Sequence, residues 1–282
     1  VKNSIQNINT LVDFIVKIQN NSYSPNFTYF FRGHADKEYK LQPSIYRNTG
    51  YIQNEDTMFR ELITHNTAEF SQCKGTIDYL VKMQHYGLPT RLLDLTTNPL
   101  IALFFACISR ENEEGEVIVF KVPNKSVKYS DSDTVSVLSN IARMEDGFKY
   151  EDLNSKVKFN RQPSIQLLLH EIKQEKNSFR SIIEKEHLKS VVCIKAKMDN
   201  PRITNQSGAF FLFGCGNKDK ESVNINTDWI ASKERILIEN KNAILDELKF
   251  MGITEKFVYP NLEKYTDFLR SSYYVHPDEV RK

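Results

Sequence analysis

Residues 100–108 read Leu-Ile-Ala-Leu-Phe-Phe-Ala-Cys-Ile, nine apolar residues without a break. Wound at 3.6 residues per turn, such a run is apolar on every side, so the helix it predicts over 99–108 must be buried by the rest of the chain. It is too short to span a membrane, which takes roughly 20 such residues, and no longer apolar run exists. Asn98 followed by Pro99 is a good start signal, a side-chain cap and then a residue preset for the first helical position. Ahead of it lies Gln84-His85-Tyr86-Gly87-Leu88-Pro89-Thr90-Arg91-Leu92-Leu93-Asp94-Leu95-Thr96-Thr97, dense in polar groups. Polar residues leading into a core helix must find partners somewhere, either within the fold or on a ligand.

The chain is long enough to bury that helix. A protein of 282 residues removes roughly three quarters of its unfolded surface from water. With 40% hydrophobic and 26% charged residues it has the profile of a globular protein, which excludes disorder, collagen and repeat arrays as its main state. Lys and Arg number 38 against 36 Asp and Glu, so charge alone demands neither a nucleic-acid nor an anionic membrane partner. Cys73, Cys107, Cys193 and Cys215 are far apart, with no CxxC and no His at metal spacing. Neither a disulfide framework nor a metal site is expected; together with an N-terminus lacking a secretory layout, this points to the cytoplasm.

Apolar spacing predicts a helix through Ile5, Ile8, Leu11, Val12, Ile15 and Ile18, capped at Asn3 or Ser4. An aromatic strand follows over 27–32. Helices are expected over 55–73, 77–84, 134–143, 164–173, 242–250 and 260–271, and strands over 116–122, 191–195, 209–213 and 235–239. Residues 201–208 read as a loop entering a core strand. The class is α+β, without regular βαβ alternation. We expect a helix over 1–24 packed on one domain at 25–272, a helical insertion near 124–190, and a tail at 273–282.

Three segments carry chemistry. In Phe31-Arg32-Gly33-His34 a strand ends in a planar cation beside bare backbone, suited to a phosphate or a ribose diol; Gly33 would allow close ligand approach. An Arg there paired to a carboxylate is the ordinary alternative. In the 84–99 segment, Arg91 and Asp94 could pair to hold the loop, and His85 could be structural. In Gln206-Ser207-Gly208-Ala209-Phe210, Gln206 stands at a strand entrance, where it could equally serve the loop backbone.

Together with Leu41-Gln42-Pro43-Ser44-Ile45-Tyr46-Arg47, these segments resemble the FRG-domain family of bacteria and phages, and the likeness extends to the ending Gly252-Ile253, Tyr259-Pro260 and Leu262. More distantly, the order Arg32, then Thr96-Thr97 leading into a helix, then Gln206, is similar to ADP-ribosyltransferases. These have an early Arg, a Ser/Thr-rich strand before a helix, and a late strand that often supplies a Glu. This resemblance implies two small, mostly antiparallel sheets flanked by helices, and NAD as cosubstrate. It assigns catalysis to Arg32, Thr96 and Gln206. NAD would be bound by Arg32, Gly33, His85, Tyr86, Arg91, Asp94 and Thr97. It implies a toxin or phage-defence effector whose acceptor is a nucleic acid or a protein such as a translation component, with an inhibitory partner and no membrane. Gln206 departs from the usual carboxylate: an amide can bond a ribose hydroxyl but cannot stabilise positive charge, which leaves Asp94 as the nearest acid by motif. The rival readings are a nucleotide-binding or interaction module gripping phosphate through Arg32, Arg47 and Arg91, and a hydrolase, either an NAD glycohydrolase or a nuclease using Asp94 and His85.

Overall fold

A computed structural model of the chain describes residues 8–19, 23–145, 148–216, 222–231 and 235–260. Among these, seven strands form one sheet: β1 Phe27–His34, β2 Leu92–Thr96, β3 Gly115–Pro123, β4 Val127–Lys128, β5 Val191–Lys195, β6 Gly208–Phe213 and β7 Ile236–Ile238. Their spatial order is β4-β5-β6-β2-β1-β3-β7, and every pairing is antiparallel except β4 with β5. The fold is α+β, but the two small sheets expected are one. The reason is β2. Its Leu92, Leu93, Leu95 and Thr96 are all buried, so it lacks the polar–apolar alternation of a half-exposed strand, and the sequence reads as loop. It joins the halves thinly: β1 and β2 share the single register pair Phe31–Thr96, whereas β1 pairs with β3 from Phe27–Pro123 to His34–Glu116.

The apolar helix forms as Pro99–Cys107, with Asn98 Oδ1 accepting the Leu100 N–H at 2.9 Å. It lies against β1 and β3 at very close range. A Cβ built on Gly33 would stand 1.9 Å from Ala102 O, and one on Gly115 2.4 Å from Ala106 O. Glycines on the strands and alanines on the helix therefore set the approach. Helix Leu11–Gln19 and helix Lys241–Phe250 complete this side, with Phe14, Ile244 and Leu248 buried against Leu103 and Phe104.

Over the β2–β6–β5 half of the same face lie helices Thr76–His85, Asp133–Asn140 and Pro163–Glu175. The 124–190 stretch, polar in overall character, supplies Val135, Leu138, Ile165, Leu168 and Ile172 to this core. It is also pinned by charge: Glu175 Oε2 accepts the Thr76 N–H at 2.6 Å at the start of helix Thr76–His85, and Asn140 Nδ2 donates to Glu175 Oε1 at 2.9 Å. The opposite face of the sheet packs Phe30, Leu93, Leu95, Phe120 and Phe211.

Several boundaries move. The N-terminal helix starts only at Leu11, where Thr10 Oγ1 accepts the Asp13 N–H at 3.1 Å, because Ile8 bridges to Ile238 as extended chain. The expected cap at Asn3 or Ser4 lies outside the described residues, as do Leu262, the tail at 273–282, and the 260–271 helix beyond Pro260. The 55–73 helix stops at His65, and residues Thr67–Phe70 form a separate turn of helix. Residues Pro201–Asn205, expected as loop, make a short helix capped by Asn200 Oδ1 on Arg202 N at 2.8 Å. No helix among the described residues is long and apolar enough to cross a membrane.

Candidate functional site

After the Phe31–Thr96 pair, β1 stays with β3 while β2 stays with β6, and the two strands part. A cleft of about 360 Å³ opens at this gap, between the helix groups that cover the two halves of the sheet. That is within the size range of small-molecule sites. Arg32, Thr96 and Gln206, drawn from three distant segments, all line it, as do Gly33, His85 and Asp94.

Arg32 bridges the gap. Pleating places Phe31 and Gly33 toward helix Pro99–Cys107, so Arg32 and His34 project to the other face. The Arg32 Nη1–H donates to Asp94 O at 2.6 Å, satisfying a backbone carbonyl that strand pairing leaves free. Its Nε–H donates to His34 Nε2 at 2.9 Å. Neither acceptor is charged, and Arg32 makes no ion pair among the described residues. Burial, opposed by the Asp94 charge and aided by Arg47, brings its pKa down to about 10, so it remains a cation at neutral pH. Arg47, exposed on the Ser44–Arg47 turn, also lines the cleft, with no hydrogen bond or ion pair among the described residues. Arg202 is the third guanidinium. It donates through Nη1 to His85 O at 3.2 Å and lies over the Tyr259 ring, 5.1 Å from its centroid. Against these three cations the lining holds one carboxylate, Asp94, so the cleft carries an excess of positive charge.

Asp94 is exposed and oriented. Its Oδ1 accepts Gln84 Nε2–H at 2.7 Å, and Gln84 Oε1 in turn accepts the hydroxyl of buried Thr90. The Thr96 hydroxyl is tied internally. It donates to Gln206 O at 2.6 Å and accepts the Asn98 N–H at 3.0 Å, so it locks the β6 entrance to the start of the buried helix. The Gln206 amide donates Nε2–H to Val258 O at 3.1 Å. On the His85 side, Asn200 Nδ2 lies 3.3 Å from Nδ1, and burial followed by the charges of Arg202 and Lys82 lowers its pKa, which keeps the ring neutral.

Three expected ligand contacts lie away from the cleft. Arg91 is buried and does not pair with Asp94. It grips Glu55 with Nε at 2.8 Å from both carboxylate oxygens and Nη2 at 2.5 Å from Oε2, while Nη1 donates to Tyr46 OH at 2.8 Å. The alternating strand turns it away from Asp94's surroundings, and Tyr46 passes the network on to Gly214 O at 2.8 Å. Burial is the largest influence and works against its charge, but Glu55, Tyr46 and Cys215 together outweigh it and raise the pKa. Tyr86 is exposed beyond the helix end and donates to Glu69 Oε2 at 3.0 Å. Thr97 is exposed, its N–H bonded to Ser207 O at 2.9 Å, and faces a separate hollow beside Tyr29 and Pro99. Gly33 borders the cleft, and its missing side chain is what allows the close contact with helix Pro99–Cys107.

Sequence reasoning did not single out His34, Gln84, Arg202 or Tyr259. His34 and Gln84 each abut a chosen motif residue, which was the available signal. Tyr259 stood in the family-like ending without a role, and Arg202 carried no signal, since only the chain path brings 202 and 259 to β1.

Residues 27–115 match the FRG domain, from the start of β1 to the first residue of β3. That supports the FRG-family resemblance for the stretch containing Arg32, Arg47, Asp94 and the buried helix. No curated protein and no solved structure matches the chain.

Proposed function

We propose that the cleft binds NAD and that the protein transfers ADP-ribose from it to an acceptor, in the manner of an ADP-ribosyltransferase. The observation that carries this reading is the convergence of Arg32, Thr96 and Gln206 on one cleft that is rich in guanidinium groups and open between β1 and β2. Arg32 and Arg47 would hold the pyrophosphate. Gln206, through its Oε1, would bond a ribose hydroxyl, and Thr96 keeps the Gln206 segment in place. His85 would flank the nicotinamide ribose. As the bond from C1′ to the nicotinamide nitrogen breaks, its electron pair neutralises the pyridinium ring, which leaves uncharged. The cation left on the ribose is oxocarbenium-like, as at other glycosidic centres. Asp94, with Oδ1 fixed by Gln84, is the anionic group that can face it. The acceptor then forms the new bond to C1′ and gives up its proton. Such an acceptor would be a nucleic acid or a protein of the translation machinery, as expected for a toxin or phage-defence effector. If water takes that place, the same steps give an NAD glycohydrolase.

A second reading, a nucleotide-binding module without turnover, is favoured by one observation: the Thr96 hydroxyl and the Gln206 amide both donate to backbone carbonyls. The test separates the two. Purified protein with NAD labelled in the adenylate phosphate should release nicotinamide and, with acceptor present, transfer label. Arg32→Ala should abolish both, and Arg32→Lys should impair them, because an ammonium cannot reproduce the planar fork. Binding without nicotinamide release over hours supports the module. No binding by calorimetry refutes both readings.

A further inference from the structure

His34 is buried and carries an unusual pair of neighbours. Its Nε2 accepts the Arg32 Nε–H at 2.9 Å, so that nitrogen has no proton. Its Nδ1 must then hold the proton of the neutral ring, yet Nδ1 has no hydrogen-bond partner and is sealed from solvent. The atom it faces is Glu116 Oε2 at 3.8 Å. That carboxylate is already bound on both oxygens, by Arg235 Nε on Oε1 at 2.6 Å and Arg235 Nη2 on Oε2 at 2.9 Å. Glu116 therefore attracts the Nδ1 proton without pulling the ring out of reach of Arg32.

We propose that His34 is the positioning residue of the anion site, a neutral imidazole protonated on Nδ1 that fixes the Arg32 guanidinium without cancelling its charge. This rests on the reading that the cleft takes a phosphate-bearing ligand. A carboxylate in place of His34 would hold Arg32 as firmly but would neutralise it and compete with the ligand. The imidazole holds the Nε edge and Asp94 O holds Nη1, while Nη2 has no partner among the described residues and is left for the ligand. The groups around the ring agree: burial first, then the charges of Arg32, Arg47 and Arg235, push the His34 pKa down to about 3. A second proton is thus excluded, and with it the loss of the acceptor at Nε2. The sequence gives a place for this device, since strand pleating puts residues 32 and 34 side by side on one face.

The experiment has two arms. In the first, nitrogen-15 spectra of the ligand-free full chain should show His34 unprotonated at Nε2 and protonated at Nδ1 at neutral pH, with slowed exchange of the Arg32 Nε–H. The opposite tautomer overturns the proposal. In the second, ADP-ribose binding is measured by calorimetry. His34→Gln, which keeps an acceptor oxygen, should bind within about threefold of the parent, and His34→Phe should lose about tenfold or more. In an Arg32→Ala background, His34→Phe should change affinity less than about twofold, because the effect runs through Arg32. Parent-like affinity in His34→Phe, or an equal loss with and without Arg32, refutes positioning. If the parent itself does not bind ADP-ribose, the functional reading fails, and the spectra alone decide on His34.

Discussion

Replacing Gly33 by Ala separates two explanations for a glycine beside the arginine that lines the cleft. The added Cβ would stand 1.9 Å from Ala102 O and 2.7 Å from Ala106 N, both backbone atoms of the buried helix. Ordinary contact begins near 3.4 Å, so strand or helix must shift by about 1.5 Å in a region with no slack. Neither can do so cheaply. Gly33 is paired to Val117, and Gly115 one strand over imposes the same limit through Ala106 O. Overpacking of a core typically costs about 1–3 kcal/mol, and an obstruction made of backbone belongs at the upper end. For a chain of this length, about 3 kcal/mol corresponds to roughly 5 °C in melting temperature. Thermal unfolding of Gly33→Ala should be compared with Gly75→Ala, whose Cβ would meet nothing nearer than Glu175 Oε2 at 3.8 Å. The expected result is a large drop for Gly33→Ala and a small one for Gly75→Ala. A Gly33→Ala protein that melts within about 2 °C of the parent but no longer binds NAD would refute the packing argument and restore the glycine to the ligand.

Arg91→Met leaves Glu55 buried without its partner and should cost about 3–5 kcal/mol in urea unfolding, yet the folded fraction should keep its NAD affinity; loss of affinity at unchanged stability would return Arg91 to the site. Stability should fall with acid through His34. The unfolded ring titrates near 6.5 and the folded ring only at about 3, so between these values the unfolded state binds the extra proton and folding loses up to about 1.4 kcal/mol per pH unit. The contribution is complete above pH 6.5. Urea curves at pH 7 and pH 5 should thus diverge by up to about 2 kcal/mol more for the parent than for His34→Gln, which has no such proton; equal divergence would refute it.

The pattern of apolar residues foretold the helices that have one clear buried face. Residues 164–173 match helix Pro163–Glu175, whose Ile165, Leu168, Leu169 and Ile172 share one buried side; residues 134–143 match helix Asp133–Asn140 with its short extension, although that helix is buried on every side. What the pattern missed are elements whose reason lies elsewhere in the fold. Strand β2 buries both faces, so it shows no alternation. Helix Pro201–Asn205 has five residues, too few for a periodic signal. The site was partly legible for the same reason. Arg32 stands beside Gly33, Thr96 ends β2 just before Thr97, Asn98 and Pro99, and Gln206 precedes Gly208 at the start of β6, all of which a sequence displays; Asp94 shows as the one charge inside the apolar run of β2. The partner of Arg91 is not displayed, because Glu55 sits 36 residues away and only packing brings it near. Asp94 at three residues' distance was the obvious candidate, yet strand pleating sends neighbours at odd spacing to opposite faces.

That pleating also bears on whether the cleft turns over a ligand or only holds one. An amide at position 206 provides no negative charge for a ribosyl cation, so the proposed transfer would have to draw that charge from Asp94. The carboxylate points where the strands part, and Thr90, itself buried, orients it through Gln84. This chain fixes one oxygen and leaves the other without a hydrogen bond among the described residues. Arg32 meanwhile takes the Asp94 carbonyl and not its carboxylate. The same residue thus supplies a neutral anchor for the cation proposed to bind phosphate, and a carboxylate that Arg32 does not pair with. Had Arg32 paired with the carboxylate, both charges would have been lost to the ligand. The separation of charge across the β1–β2 gap is therefore the feature the proposed chemistry would use, and it arises where the two strands stop pairing beyond Phe31 and Thr96.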